Sequence, residues 1–219
     1  MQHSALIVDD DECTLQALSG VLHLHLPKLS IETSSSSRAA CHHVAARSYS
    51  VVVTDVRMPG MDGFSLLAKL QEAERGTPVI FMTGLASVTL AERAFGAGVF
   101  DMLPKPFRRE TLVASLCQAL RARDLARDID ATDQRLGRLQ HHLCTINTEL
   151  ASLVRQAARL FNPSIAEAAI RYSRAMAARN HTRSSIEELQ RRRDVLWQAL
   201  RAVRDHAYHA ALVRVRGLG

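Results

Sequence analysis

Three acids, a hydroxyl and a lysine stand out by where they fall. Asp9 and Asp10 directly follow an apolar run, Ala5–Val8, and Asp55 directly follows another, Val51–Thr54. Thr83 ends a third run, Val79–Met82, and Lys105 follows a short segment around Phe100–Leu103. If each run is a strand of one parallel sheet, all five residues gather at the edge where the carboxyl ends of the strands converge and ligands bind. Three carboxylates held there repel one another unless a divalent cation joins them, and an oxygen-only donor set suits Mg²⁺. A lysine adds a compact positive charge, and a threonine hydroxyl donates to a phosphoryl oxygen. Together these groups would make a pocket for transferring phosphate to a carboxylate.

Taken singly, each residue has a plainer reading. An acidic pair after a strand is usually a solvated turn, Thr83 would serve as a helix cap, and Lys105 before Pro106 reads as a loop lysine. Pro59-Gly60 and Asp62-Gly63 are turn residues first, because proline presets φ and glycine tolerates positive φ. The force of the pattern lies in its being joint.

The elements that must position these residues are legible over the first 120 positions. Helical spacing over Cys13–Leu26 is stopped by Pro27, and Leu29–Thr33 alternates like a strand. Arg38–Arg47 reads as a helix with serines before it as N-caps. Phe64–Glu74, Ser87–Ala97 and a segment from about Arg109 complete five helices against five strands. Such alternation implies an α/β fold, a doubly wound parallel sheet covered on both faces.

Composition narrows the classes. Of 219 residues, 47% are hydrophobic and 23% charged, which excludes disorder over most of the length. No apolar stretch approaches a membrane span, and the N-terminus lacks the basic start and longer apolar core of a signal peptide. The four cysteines, Cys13, Cys41, Cys117 and Cys144, form no C-x-x-C pair. Neither a zinc site nor a disulfide framework is expected, and a reduced cytoplasmic setting fits.

In order and spacing, Ala5-Leu6-Ile7-Val8-Asp9-Asp10, Asp55-Val56-Arg57-Met58-Pro59-Gly60-Met61-Asp62-Gly63, Pro78-Val79-Ile80-Phe81-Met82-Thr83-Gly84 and Lys105-Pro106-Phe107 resemble the receiver domain of bacterial two-component response regulators. The resemblance covers residues 1–120 and implies a five-stranded sheet of order 2-1-3-4-5. It implies that Asp55 accepts a phosphoryl group from a sensor histidine kinase or phosphotransfer protein. Asp10 and Asp55 would bind Mg²⁺ directly, Asp9 largely through water, and the backbone carbonyl of Arg57 would add a ligand. Lys105 would pair with Asp55 or its phosphate, and Thr83 would bond the phosphoryl oxygen. Arg57 and Leu85 would border the path of attacking water. One residue departs from the pattern: the aromatic that the family places three before the lysine is Met102 here, which has no ring to act as a two-position switch. Phe100, two residues earlier, falls on the same strand face and is expected to substitute in part.

Residues 121–219 differ. Eighteen arginines face ten acids there, whereas residues 1–120 carry ten basic side chains, all three lysines included, against twelve acidic ones. No strand-like segment follows Leu103. A heptad runs over 122–160, with Ala122, Ile129, Leu136, Leu143, Leu150 and Ala157 on one position. Leu125, Thr132, Leu139, Ile146, Leu153 and Leu160 hold the other. Asn162-Pro163 breaks it, with Pro163 placed to open a short helix over 164–179. Asn180-His181 is expected to break again, and Ser184 with Glu187 matches a capping box opening a long helix over 184–213. The expected organisation is a receiver over 1–120 and an all-helical bundle region over 121–219, serving output and self-association. Asp128 would meet Asp133 of a partner in a parallel dimer, which favours a bundle or antiparallel packing over a parallel coiled coil. His141-His142 and the His206/His209 pair read as surface histidines. The basic tail carries a partial helix-turn-helix likeness around Asn180, so a DNA-binding transcriptional regulator is the first alternative function. A phosphate-independent scaffold is the second. No nucleophile triad, phosphate-cradling glycine loop or recognisable catalytic output domain is seen, so no enzyme is expected.

Overall fold

The computed structural model describes residues 3–73, 76–157 and 165–217. Five strands and six helices follow one another: β1 Ser4–Val8, α1 Glu12–His25, β2 Ser30–Ser34, α2 Ser37–Ala46, β3 Val51–Asp55, α3 Gly63–Ala73, β4 Val79–Thr83, α4 Val88–Gly96, β5 Asp101–Pro104, α5 Arg109–Ala157 and α6 Ile165–Arg216. The strands form one parallel sheet of order β2-β1-β3-β4-β5. The three inner strands are sheathed by helices on both faces, so they are apolar throughout rather than alternating. Ala5 to Val8, Val51 to Val53 and Ile80 to Met82 are all fully buried.

Local chemistry sets the helix ends. Asp11 accepts the N–H groups of Cys13 and Thr14 at the start of α1, and Ser36 and Ser87 cap α2 and α4 in the same way. Asp62 accepts the N–H of Ser65 at 2.9 Å and so caps α3. The edge strand β2 is anchored through Glu32, which accepts from Arg47 at 2.6 Å and from the Tyr49 hydroxyl at 2.5 Å. Burial, then the hydrogen bond to Glu32, pushes the Tyr49 phenol up to about 12.

The chain divides into two compact units, which do not part at residue 120. One comprises Met1–Ala126 together with Leu200–Gly219, and the other Arg127–Ala199. The end of the last helix thus belongs to the sheet-bearing unit, whose main core cluster includes Ala211 and Val215 beside Leu6, Val52, Phe81 and Met102.

In the second unit α5 and α6 pack antiparallel. Leu136 clusters with Ile186 and Leu189, and Asp133 lies 3.6 Å from Arg193. The heptad residues Ile129, Leu136, Ile146, Leu150 and Leu153 are buried. Its polar member, Thr132, is buried too, and its hydroxyl donates to the carbonyl of Asp128 one turn back at 2.7 Å. The heptad helix therefore packs within its own chain, and Asp133 meets an arginine rather than an aspartate.

The heptad rides on the continuation of α5, one helix from Arg109 to Ala157. One expectation for the tail is corrected. The helices expected over 164–179 and 184–213 are one helix, Ile165–Arg216, with no interruption at Asn180-His181. Neither residue is glycine or proline, and each disfavours a helix by only about 0.7 kcal/mol or less relative to alanine. Burial of Thr182, Ile186 and Leu189 outweighs that, and Thr182 satisfies its hydroxyl on the Ala178 carbonyl at 2.9 Å. Ser184 thus lies inside a helix rather than at its cap, and the helix-turn-helix likeness has no turn. The break at Asn162-Pro163 and the heptad member Leu160 lie outside the described residues.

A continuous α6 predicts slow, uniform amide exchange from Met176 to Glu187. A helix break would appear instead as fast-exchanging amides at 181–184 in a residue-resolved exchange experiment.

Candidate functional site

The register of the sheet does the gathering. Val8 lies beside Thr54, Asp55 beside Met82, and Thr83 beside Pro104. The residues immediately after β1 and at the ends of β3 and β4 therefore share one edge with Lys105. Asp55 and Thr83 are the last residues of their strands rather than the first residues of loops. Their backbones are thereby held by the sheet's own hydrogen bonds.

Lys105 is the hub. Its Nζ lies 2.7 Å from Asp9 Oδ2 and 2.7 Å from Asp55 Oδ2. Burial alone would lower the ammonium, but hydrogen bonds to Asp55 and Asp9 outweigh it and hold Lys105 above the ordinary lysine value. The sequence reading paired Lys105 with Asp55; the structure gives it Asp9 as well. Asp9 is almost fully buried and its other oxygen accepts the N–H of Asp11 at 3.1 Å. Asp55 Oδ1 accepts the N–H of Arg57 at 3.0 Å. Asp10 is exposed beside them, and carboxylate oxygens of Asp9, Asp10 and Asp55 all lie within 4.8 Å of one another. Three hard oxygen donors so close, none contributed by sulfur or imidazole, match what a small divalent cation requires.

Thr83 is buried, and its Oγ1 accepts the N–H of Leu85 at 3.1 Å. Its carbonyl accepts the N–H of Lys105 at 2.7 Å, so the hydroxyl and the lysine ride on adjacent, hydrogen-bonded backbone. The Lys105–Pro106 peptide bond is cis.

The loop after Asp55 is shaped by two glycines. Gly60 has φ of +84°, which favours a residue without Cβ. Gly63 is required for a different reason: a Cβ there would sit 2.7 Å from the Asp55 carbonyl oxygen. The sequence marked both as turn residues, and the close approach of Gly63 to the backbone of Asp55 is what the structure adds.

Met102 is fully buried in the main core cluster. Phe100 does not take the place of the aromatic. It precedes β5, donates its N–H to the carbonyl of Val79 at the start of β4, and lines a cavity with Leu70 and Pro78. That is the opposite end of the strands from Asp55.

Asp101 was missed by sequence reading. It is buried at the start of β5, accepting from the Ser115 hydroxyl at 2.6 Å, from the Met102 N–H at 2.8 Å, and from the Arg214 guanidinium. Burial pushes its carboxyl above the usual range, and Arg214 and Ser115 pull it back. The available signal was an acid at the head of an otherwise apolar strand, which demands a partner.

Comparison with known proteins is consistent with this arrangement. Residues 5–117 match the model of the response regulator receiver domain. The C4-dicarboxylate transport transcriptional regulatory protein DctD of Pseudomonas aeruginosa is 39% identical over 124 residues, covering 57% of this chain and 26% of DctD. The response regulator protein TmoT of Ectopseudomonas mendocina is 36% identical over 115 residues, covering 52% of this chain and 51% of TmoT. The chain thus spans about a quarter to a half of the length of these curated relatives. Among solved structures, the chemotaxis protein CheY4 of Vibrio cholerae superposes with a TM-score of 0.51 at 27% identity, covering 55% of this chain and all of that one.

Gly63→Ala forces the Asp55 carbonyl or the loop to shift. The expected loss is about 1–3 kcal/mol, read by urea unfolding, with displaced amide resonances at Asp55 and Val56.

Proposed function

The chain belongs to the response regulator receiver domain family, and from that premise we propose that it is a phosphorelay response regulator accepting a phosphoryl group on Asp55. What supports this most directly is the single lysine ammonium 2.7 Å from both Asp9 and Asp55 at the carboxyl edge of the sheet. The donor is a phosphohistidine on a sensor kinase or phosphotransfer protein. An oxygen of Asp55 attacks phosphorus as the phosphorus–nitrogen bond to imidazole breaks, leaving an acyl phosphate on the aspartate. The roles of the surrounding residues follow from where they sit. Asp55 is held by the Arg57 N–H and Lys105, so its carboxylate is already oriented for attack. Lys105 offers positive charge to the incoming phosphoryl oxygens without moving far from Asp55. Thr83, one strand over, supplies a hydroxyl that can donate to a phosphoryl oxygen.

Asp9, Asp10, Asp55 and the backbone carbonyl of Arg57 would hold Mg²⁺. When bound, the ion supplies positive charge that offsets the developing charge on the transferred group. Asp9 also shares Lys105 with Asp55, which ties its carboxylate to the phosphoacceptor.

The output is the helical region, and we infer that it acts by protein contact rather than by catalysis, in a cytoplasmic setting. Among the described residues no helix is long and apolar enough to cross a membrane. Self-association through this region remains part of the proposal. The packing of Leu136 against Ile186 and Leu189 of α6 in the same chain makes association of preformed helical pairs the form to test. DctD is named as a transcriptional regulator, but the match covers only 26% of it, and a DNA-binding output does not come across with a receiver. The continuous helix through Asn180-His181 also withholds the turn on which the DNA-binding alternative rested.

Acetyl phosphate with Mg²⁺ is expected to label the wild-type chain with a base-labile phosphate. Asp55→Asn is expected to abolish the label, and EDTA to prevent it. A folded wild-type chain that takes up no phosphate from any competent donor would instead favour the scaffold reading. Lys105→Met leaves Asp9 and Asp55 facing each other without their shared cation. The expected outcome is a lower urea midpoint than wild type, because the buried Asp9 carboxylate loses its counter-charge.

A further inference from the structure

The last turns of α6 carry a stripe the receiver reading does not use. Tyr208, Ala211, Leu212 and Val215 recur at helical spacing and face the sheet-bearing unit. The Tyr208 ring packs edge-on against Phe95 of α4 with centroids 4.8 Å apart. Ala211 and Val215 are buried in the cluster that holds Met102, Val99 and Ala94. Arg214 reaches the buried Asp101 carboxylate of β5, which also accepts from Ser115 of α5. One short stretch of helix thus engages α4, β5 and, through the shared aspartate, α5.

We propose that this stretch, Tyr208–Val215, is a latch that closes over the α4–β5–α5 face and is released when Asp55 is phosphorylated. The proposal rests on the phosphoacceptor reading above and adds where the signal leaves the domain. Two short routes join pocket and latch. Lys105 follows directly on the four-residue strand that begins with Asp101 and carries Met102 under the latch. Thr83 accepts from Leu85 at the head of the loop leading into α4, whose Phe95 holds Tyr208. Drawing Lys105 and Thr83 toward a phosphoryl group pulls on both anchors.

The latch also accounts for Met102. An aromatic at this position would need room to swing. Here the side chain is fully buried in a cluster with Ala211 and Val215, so the moving part is the helix above it. The closed state is not costless: Arg214 Nε is buried with no hydrogen-bond partner among the described residues, which favours release. Equilibrium coupling is reciprocal, so a latch opened by phosphate must, when intact, oppose the phosphorylated form.

The test uses the full chain. With Mg²⁺ and acetyl phosphate, amide exchange over 204–217 is expected to rise about tenfold, the scale of ordinary allosteric coupling, while label enters Asp55. Asp55→Asn should show no rise. Tyr208→Ala, which leaves the buried aspartate paired, and Arg214→Ala should each raise exchange over 204–217 without phosphate. Both should bind beryllofluoride with Mg²⁺ several-fold more tightly, and Arg214→Lys should restore wild-type behaviour in part. If phosphate enters Asp55 and exchange over 204–217 stays unchanged, the latch is wrong and the phosphoacceptor reading stands. If no phosphate or beryllofluoride binds the folded chain, both fall. If Tyr208→Ala loosens the segment with no gain in beryllofluoride affinity, the contact is structural and not a latch.

Discussion

Two carboxylates at the end of a buried sheet are held together by one ammonium group, and the arrangement of the site follows from that balance. Asp9 is nearly sequestered from water, and a buried carboxylate without a counter-charge is expensive. Lys105 satisfies it and Asp55 at the same 2.7 Å. The remaining oxygens are taken by backbone N–H groups of Asp11 and Arg57, the residues two positions on in each case. Each strand thus ends in a small loop that folds back on its own aspartate. Three carboxylates, Asp9, Asp10 and Asp55, face one ammonium, so the cluster stays two positive charges short of neutral even with Lys105, a balance that suits a divalent cation. A site already neutral would gain little from one.

The sheet was readable because parallel strands buried on both faces leave an unmistakable trace: short runs of Val, Ile and Leu with polar residues where the runs leave the core. Those same polar residues are the chemistry, so reading the strand ends and reading the site were one act for Asp9, Asp10, Asp55 and Lys105. Thr83 belongs with them, as the last residue of β4. Asp101 shows the limit of that shortcut. Its partner, Arg214, is 113 residues away in sequence, and no local pattern announces a pair closed by the return of a helix. Phe100 was misplaced for a related reason. Period-two alternation holds only within a strand, and β5 begins one residue later.

The helical region teaches the opposite lesson about propensity. Asn180-His181 looked like a stop because both residues favour ends and turns. Propensities of a few tenths of a kcal/mol decide a helix only where nothing else does. Along α6 the apolar face is already committed to α5 through Ile186 and Leu189, and helix continues because interrupting it would forfeit that burial. The heptad residues Ile129, Leu136, Ile146, Leu150 and Leu153 are buried, as their pattern requires. What the pattern could not contain is its partner's identity, because two helices of one chain and two of different chains bury the same stripe.

The end of α6 turns a covalent event at one edge of the sheet into a question about a single short strand. β5 carries Asp101 at its start and hands on to Lys105 at its end, with Met102 between them. A buried ion pair is seldom retained for stability alone, since hydrophobic replacements of similar volume often serve as well. What an ion pair offers instead is a contact that must be made completely or not at all: a guanidinium drawn partly away from a buried carboxylate loses attraction while both groups remain poorly solvated. A strand shift of a fraction of an ångström, too small to matter to Ala211 against an apolar wall, is large for Arg214 against Asp101. That asymmetry is the physical reason to place the readout in the charged contact and to regard the surrounding methyl groups as its hinge.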